Sequence, residues 1–180
     1  MTFPVSTVYE PIKNALFARL QQFGGNLFLT YSRRFKMWEQ LTTDLQQATI
    51  KQPALYLFDG VGLGGGHVKY ERRGRGRPTV RIIYMTIVVY ARLPGAGTPT
   101  GFDIGTPGGT VFAPLVEAIE SAFKPDVGDA PGGDVVLITA NAPNGLVSHC
   151  WMEGEGTWIT PDIDGSGQGM FTIPVAVMIP

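Results

Sequence analysis

Cysteine and histidine are nearly absent from this chain of 180 residues: Cys150 is the single thiol, and His67 and His149 are the two imidazoles. One thiol excludes an intrachain disulfide and a cysteine-based zinc site, and it fits a reducing compartment. Charge is also scarce, at 16% of residues, against about 25% in a usual soluble domain. So little charge solvates a whole monomer surface poorly, and part of that surface is expected to be buried against neighbours. The formal net charge of −1 gives no global attraction for nucleic acid or membrane. Residues 82–91, the longest apolar run, reach about half of the ~20 residues a spanning helix needs. Residues 1–9 lack the basic and apolar regions of a signal peptide. These absences predict a soluble intracellular product with no membrane contact.

Apolar residues make up 44% of the chain, enough for the core of one domain over residues 1–180. The 24 glycines and 14 prolines fall between apolar runs, as in a loop-rich β architecture. No repeat is visible along the sequence. A first helix is expected over residues 8–23: Thr7 with Glu10 has the form of a capping box, and Ile12, Leu16, Leu20 and Phe23 make one apolar stripe. A second is expected over 110–123, with Phe112, Leu115, Val116, Ile119 and Phe123 on its apolar face. Between them a short apolar run covers 27–31, residues 38–47 read as a helical turn or irregular loop, and strands are expected over 54–58, 67–73 and 79–93. The last of these is apolar on both faces and long enough for one end to project as an arm. Further strands are expected over 135–139, 147–153, 157–160 and 170–179, with long loops at 60–66, 94–109 and 128–134. The order of the main elements, α-β-β-β-α-β-β-β, is that of an α+β domain: two helices packed on a mainly antiparallel sheet with a long β-hairpin.

Three constellations invite a chemical reading. Gly60-Val61-Gly62-Leu63-Gly64-Gly65-Gly66 contains G-x-G-x-x-G after a strand, but it leads into a second strand rather than the helix whose N-terminus would hold a pyrophosphate. Asp162, Asp164 and Ser166 take positions one, three and five of an EF-hand loop, and Gly167 takes the sixth. Position twelve is Ile173 instead of the bidentate glutamate, so a β-turn explains these residues better than a cation site. His149 and Cys150 are adjacent on a strand, which sends them to opposite faces and excludes a dyad. No enzyme and no cofactor follow from these residues; a small hydrolase or metal enzyme using Asp162, Asp164, His149 or Cys150 is the competing reading.

The main polar feature is basic. Lys69, Arg72, Arg73, Arg75, Arg77 and Arg81 concentrate in one hairpin, with Glu71 the only acid among them. Such a cluster is either a solvated loop or a contact for an anionic partner, an acidic protein face or the phosphates of nucleic acid. No base-reading signature accompanies it, so contact with DNA would be non-specific.

Several segments together resemble a known family. Ser32-Arg33-Arg34-Phe35-Lys36-Met37-Trp38 and Gln52-Pro53-Ala54-Leu55-Tyr56 come first. The helix from Pro114 to Asp126 follows, then Val147-Ser148-His149-Cys150-Trp151-Met152-Glu153-Gly154 and the ending Thr172 to Pro180. The pattern is similar to tail-terminator and related tail-completion proteins of long-tailed bacteriophages. That resemblance implies a homo-oligomer, commonly a hexameric ring, which caps the tail tube, stops its polymerisation and joins the tail to the head connector. It implies a tail-tube protein and a head-completion protein as partners, and a place in the virion neck after assembly in the host cytoplasm. The hairpin from Lys69 to Arg81 would then meet a neighbouring ring or DNA in the lumen. A head-closure or adaptor protein of the same neck, and a non-specific nucleic-acid-binding domain, are the alternatives.

Overall fold

The computed structural model describes residues 9–33, 53–60, 68–72, 75, 79–92, 112–123, 135–139, 146–159 and 168–179. The segment 38–47, most of the three expected loops, Thr7 of the capping box, and Asp162, Asp164 and Ser166 lie outside them. Helix α1 (Tyr9–Gly24) buries Ile12, Leu16, Leu20 and Gly24, a straight i, i+4 line on one face. Phe23, expected in that stripe, is turned to the rim by this line and is 36% exposed, with the Arg19 guanidinium 4.9 Å from its ring centroid. A 3₁₀ turn (Gly25–Leu27) ends the helix; it opens on Gly25 at φ 49°, a left-handed conformation that glycine adopts without a Cβ clash. The Tyr31 hydroxyl donates to the Gly25 carbonyl at 2.8 Å.

The remaining elements are β1 (Thr30–Ser32), β2 (Ala54–Asp59), β3 (Val68–Arg72), β4 (Thr79–Arg92), α2 (Phe112–Ala122), β5 (Val135–Thr139), β6 (Leu146–Met152), β7 (Thr157–Ile159) and β8 (Gln168–Ile179). The class is α+β, as the patterning predicts, with two short strands, β1 and β7, beside the main ones. Of the apolar run 27–31 only the end becomes strand; Leu27 and Leu29 are exposed, and the Leu29 amide donates to the Pro53 carbonyl at 2.8 Å.

All eight described strands form one sheet, with β1-β2-β4-β8-β6-β5 as its main order. Every pair is antiparallel except β1 with β2. The centre is the β4–β8 ladder, which runs from Arg81 opposite Ile179 to Arg92 opposite Gln168. β4 therefore does not project as an arm: only Thr79 and Val80 extend past β8, and both pair with β3.

Each central strand has two short strands along its outer edge. β2 pairs with the C-terminal part of β4 and β3 with its N-terminal part. Asp59 faces Met85, so an uninterrupted register would put position 61 opposite Ile83; Val68 stands there instead. Seven residues more than that register needs thus separate β2 from β3, an excursion between two strands on one edge of β4. On β8, β6 pairs with 175–178 and β7 with 170–172. Here the uninterrupted register would put position 155 opposite Thr172, where Thr157 stands, so two residues are extra, as in a bulge. This break explains a proline in a central strand. In an antiparallel ladder the N–H and C=O of one residue point to the same neighbour. Pro174 accepts the Glu153 amide at 2.8 Å, so its missing N–H faces the break, where no ladder bond is lost.

Both helices pack on one face of this sheet. Ile12, Leu16 and Leu20 of α1, Leu115 and Ile119 of α2, and Leu55, Leu57, Ile83, Met85, Ile87, Val89, Cys150, Val175 and Val177 of the sheet make one buried core. The opposite face holds two smaller clusters, Ala54, Tyr56, Phe58, Val88, Tyr90 and Met170 at one end, and Val80, Ile82 and Ala176 at the other.

At Gly24 a Cβ would lie 2.4 Å from the Tyr31 hydroxyl oxygen and 2.9 Å from the Phe28 ring. Gly24→Ala is expected to cost about 1–3 kcal/mol by overpacking, read as a lower urea midpoint with an unchanged m-value.

Candidate interface around the β3–β4 hairpin

Strand parity divides the basic cluster between the two faces of the sheet. Arg81 alternates with Ile83 and Met85 and points to the helix face; its guanidinium lies 5.5 Å from the Tyr9 ring centroid and 3.4 Å from the Tyr9 hydroxyl. It is half-buried and fixes the start of α1 to β4. Lys69 faces Ile82 across the ladder and so lies on the opposite face, where its Nζ meets the Glu71 carboxylate at 2.6 Å. That carboxylate holds the Lys69 ammonium above its ordinary pKa, first through the hydrogen bond and then through its charge. Arg75 is exposed in the turn, and the backbone of Arg72 ends β3. Arg73 and Arg77 are outside the described residues. Exposed Arg75 offers its charge outward, whereas Lys69 and Arg81 hold partners on opposite sides.

Beside Lys69, the face away from the helices carries Tyr84, Trp151 and Met178, partly buried against Val80, Ile82 and Ala176. The indole N–H of Trp151 donates to Glu153, whose charge also acts on Lys69. His149 lies in the same cross-strand row as Met178, Ile82 and Lys69. Cys150 is fully buried on the helix face. The two neighbours thus point apart, and a thiol–imidazole dyad cannot form. Among the described residues no three His, Cys, Asp or Glu side chains converge as a metal site, and no helix is long and apolar enough to cross a membrane.

A second polar cluster was not foreseen from the sequence. Lys13 bonds Asp59 at 2.9 Å and lies 3.8 Å from Glu10; Glu10 accepts from Arg33 at 3.0 Å, and Arg33 also donates to Asn14. These bonds tie α1 to the ends of β1 and β2 at its first turns. The available signals are small: Asp59 stops the apolar run of β2, and Lys13 follows Ile12 at the edge of the helix stripe. Neither a protein-family model nor a curated protein sequence matches the chain.

Asp59→Asn removes the charge from a pair whose side chains are 12% and 24% exposed. A loss of about 1–3 kcal/mol is expected from a charge-assisted bond in such a setting, checked by chemical denaturation at low and high salt. Alkaline pH provides a second test. Burial raises the Tyr31 phenol above 10.0, so the fold favours its neutral form, and Lys69 is likewise held protonated. Both contributions are complete below the unfolded values and are lost as pH rises through the folded ones. Stability should therefore fall above about pH 10, and Tyr31→Phe should flatten that fall in a pH series of denaturation midpoints.

Proposed function

We propose that this chain is a structural, non-enzymatic subunit that works in a ring of its own copies, in the manner of the tail terminators it resembles. It caps a tail tube, stops tube polymerisation and presents a surface to the head-completion protein at the connector. Its place is the virion neck, reached from the host cytoplasm during assembly. The observation that supports this best is the sheet face opposite the helices. There Tyr84, Trp151 and Met178 stay partly exposed between Lys69 and Glu153, and no described helix packs on them. An apolar area rimmed by charges of both signs is the composition of a protein contact. The low overall charge points the same way, and the exposed Arg75 offers a cation to an acidic partner or to DNA in the lumen.

The test is electron microscopy with sedimentation of the chain alone and mixed with the cognate tail-tube protein. A ring of about six copies and tubes of limited length are expected. Replacing Trp151 and Met178 together by Ser should leave the monomer folded and abolish the ring. A chain that stays monomeric in both samples and leaves tube length unchanged overturns the proposal. Binding to the connector alone would make it an adaptor of the neck instead.

A further inference from the structure

Among the described elements, α1, β2, β3 and β4 are matched in order by α2, β6, β7 and β8, while the outer strands β1 and β5 run in different directions against their neighbours. We infer that the chain is two fused copies of one α-β-β-β unit, and that the β4–β8 ladder is the interface between two such units carried inside one polypeptide.

A two-fold axis normal to the sheet through the Met85–Val175 pair relates the halves. It carries β4 onto β8 and exchanges their edges. Asp59, opposite Met85, goes to Met152, opposite Val175. The Gly60 amide bond to the Tyr84 carbonyl goes to the Glu153 amide bond to the Pro174 carbonyl, both at 2.8 Å. In each half the first edge strand lies along the C-terminal part of the central strand and the second along its N-terminal part, with the excursion at the same level. Such an axis keeps the faces of the sheet, and both helices do lie on one face and pack together.

The sequence carries the same equivalence once the axis shows where to look. The helices open as Tyr9-Glu10-Pro11-Ile12 and Phe112-Ala113-Pro114-Leu115, an aromatic residue, then proline at the third position and an aliphatic at the fourth. Their buried lines continue as Leu16 and Leu20 in one and Ile119 and Phe123 in the other. On the central strands Ile83, Met85, Ile87 and Val89 correspond to Ile173, Val175, Val177 and Ile179, every one buried on the helix face. Proline at the same helical position twice is tolerable in a first turn but is not required by it, so its recurrence is independent of the packing.

The halves are interlocked. α1 packs on α2 and on β5, and α2 on β4, so each helix touches the other unit, at strands that the axis does not exchange. The axis also relates the two long connections: the 93–111 segment that joins β4 to α2 and the path from the end of β8 back to α1. The ends of that second path are near each other, because Arg81 stands opposite Ile179 and its guanidinium lies over Tyr9.

Circular permutation of the whole chain tests this. In the first permutant Pro180 is joined to Met1 by a ten-residue Gly/Ser linker, and the chain opens between residues 100 and 101. With Pro180 and residues 1–8 supplying nine residues, the new connection has the nineteen of 93–111. In the second, the linker is the same but the chain opens inside a unit, between Gly154 and Glu155. The between-unit permutant should keep the far-UV spectrum of the parent and melt within about 5 °C of it, and the within-unit permutant should melt well below both. A between-unit permutant that melts no higher than the within-unit one overturns the inference. As a second measurement, the parent chain cut by an inserted protease site between β4 and α2 should remain a one-to-one complex in native mass spectrometry. Separation of the two pieces without denaturant would equally refute it.

Discussion

The β4–β8 ladder is the constraint on which the rest of the molecule depends. Twelve register pairs from Arg81–Ile179 to Arg92–Gln168 join segments far apart in sequence, and every other strand except β1 and β5 takes its position from one of these two. Because this ladder is central, both of its faces must be covered, and the run from Val80 to Ala91 is accordingly buried with few exceptions. Covering one face requires two helices with straight aliphatic lines. Covering the other falls to side chains such as Tyr56, Phe58, Tyr90 and Met170. The polar bonds at the start of α1 then set how the first helix sits on that surface: Lys13 to Asp59, Arg33 to Glu10, Arg81 over Tyr9.

The ladder also accounts for two features that look like faults in isolation. A glycine-rich stretch and a proline both fall within strand lines, and each would weaken a ladder if it had to pair on both sides. The excursion after Gly60 and the break beside Pro174 lie on the outer edges, at the same level, where the central pairing is untouched. A strand pair that is complete on its inner side tolerates interruption on its outer side.

The period of each helix and the two-sided apolar run of β4 were legible in the sequence, because both depend on local alternation of apolar and polar residues. The division of the basic cluster was legible in principle. Arg81 has the parity of Ile83 and Met85 and Lys69 the parity opposite, but compositional clustering hides parity. The shared edge of β2 and β3 was not legible, since a run of glycines between two strands reads equally as a turn to a new position or as an excursion from the same one. Only the register of Val68 on Ile83 separates these. The duplication was hidden for a similar reason: buried aliphatic positions accept Ile, Val, Leu or Met with little cost, so the two units keep a pattern and lose identity.

The pseudo-symmetry shows where the chain is free to carry function. At the ladder the two units must match, because each packs on the other. Away from it they differ: β1 runs parallel to its neighbour while β5 runs antiparallel, and the excursions contain seven and two extra residues. The axis sends the β3–β4 connection to the β7–β8 connection, and the strands that these join end at opposite ends of the sheet. In sequence the first connection holds Arg73, Arg75 and Arg77, and the second holds Asp162 and Asp164. The two connections thus differ in the sign of their formal charge, a difference the units are free to carry because neither connection belongs to the ladder at which each packs on the other.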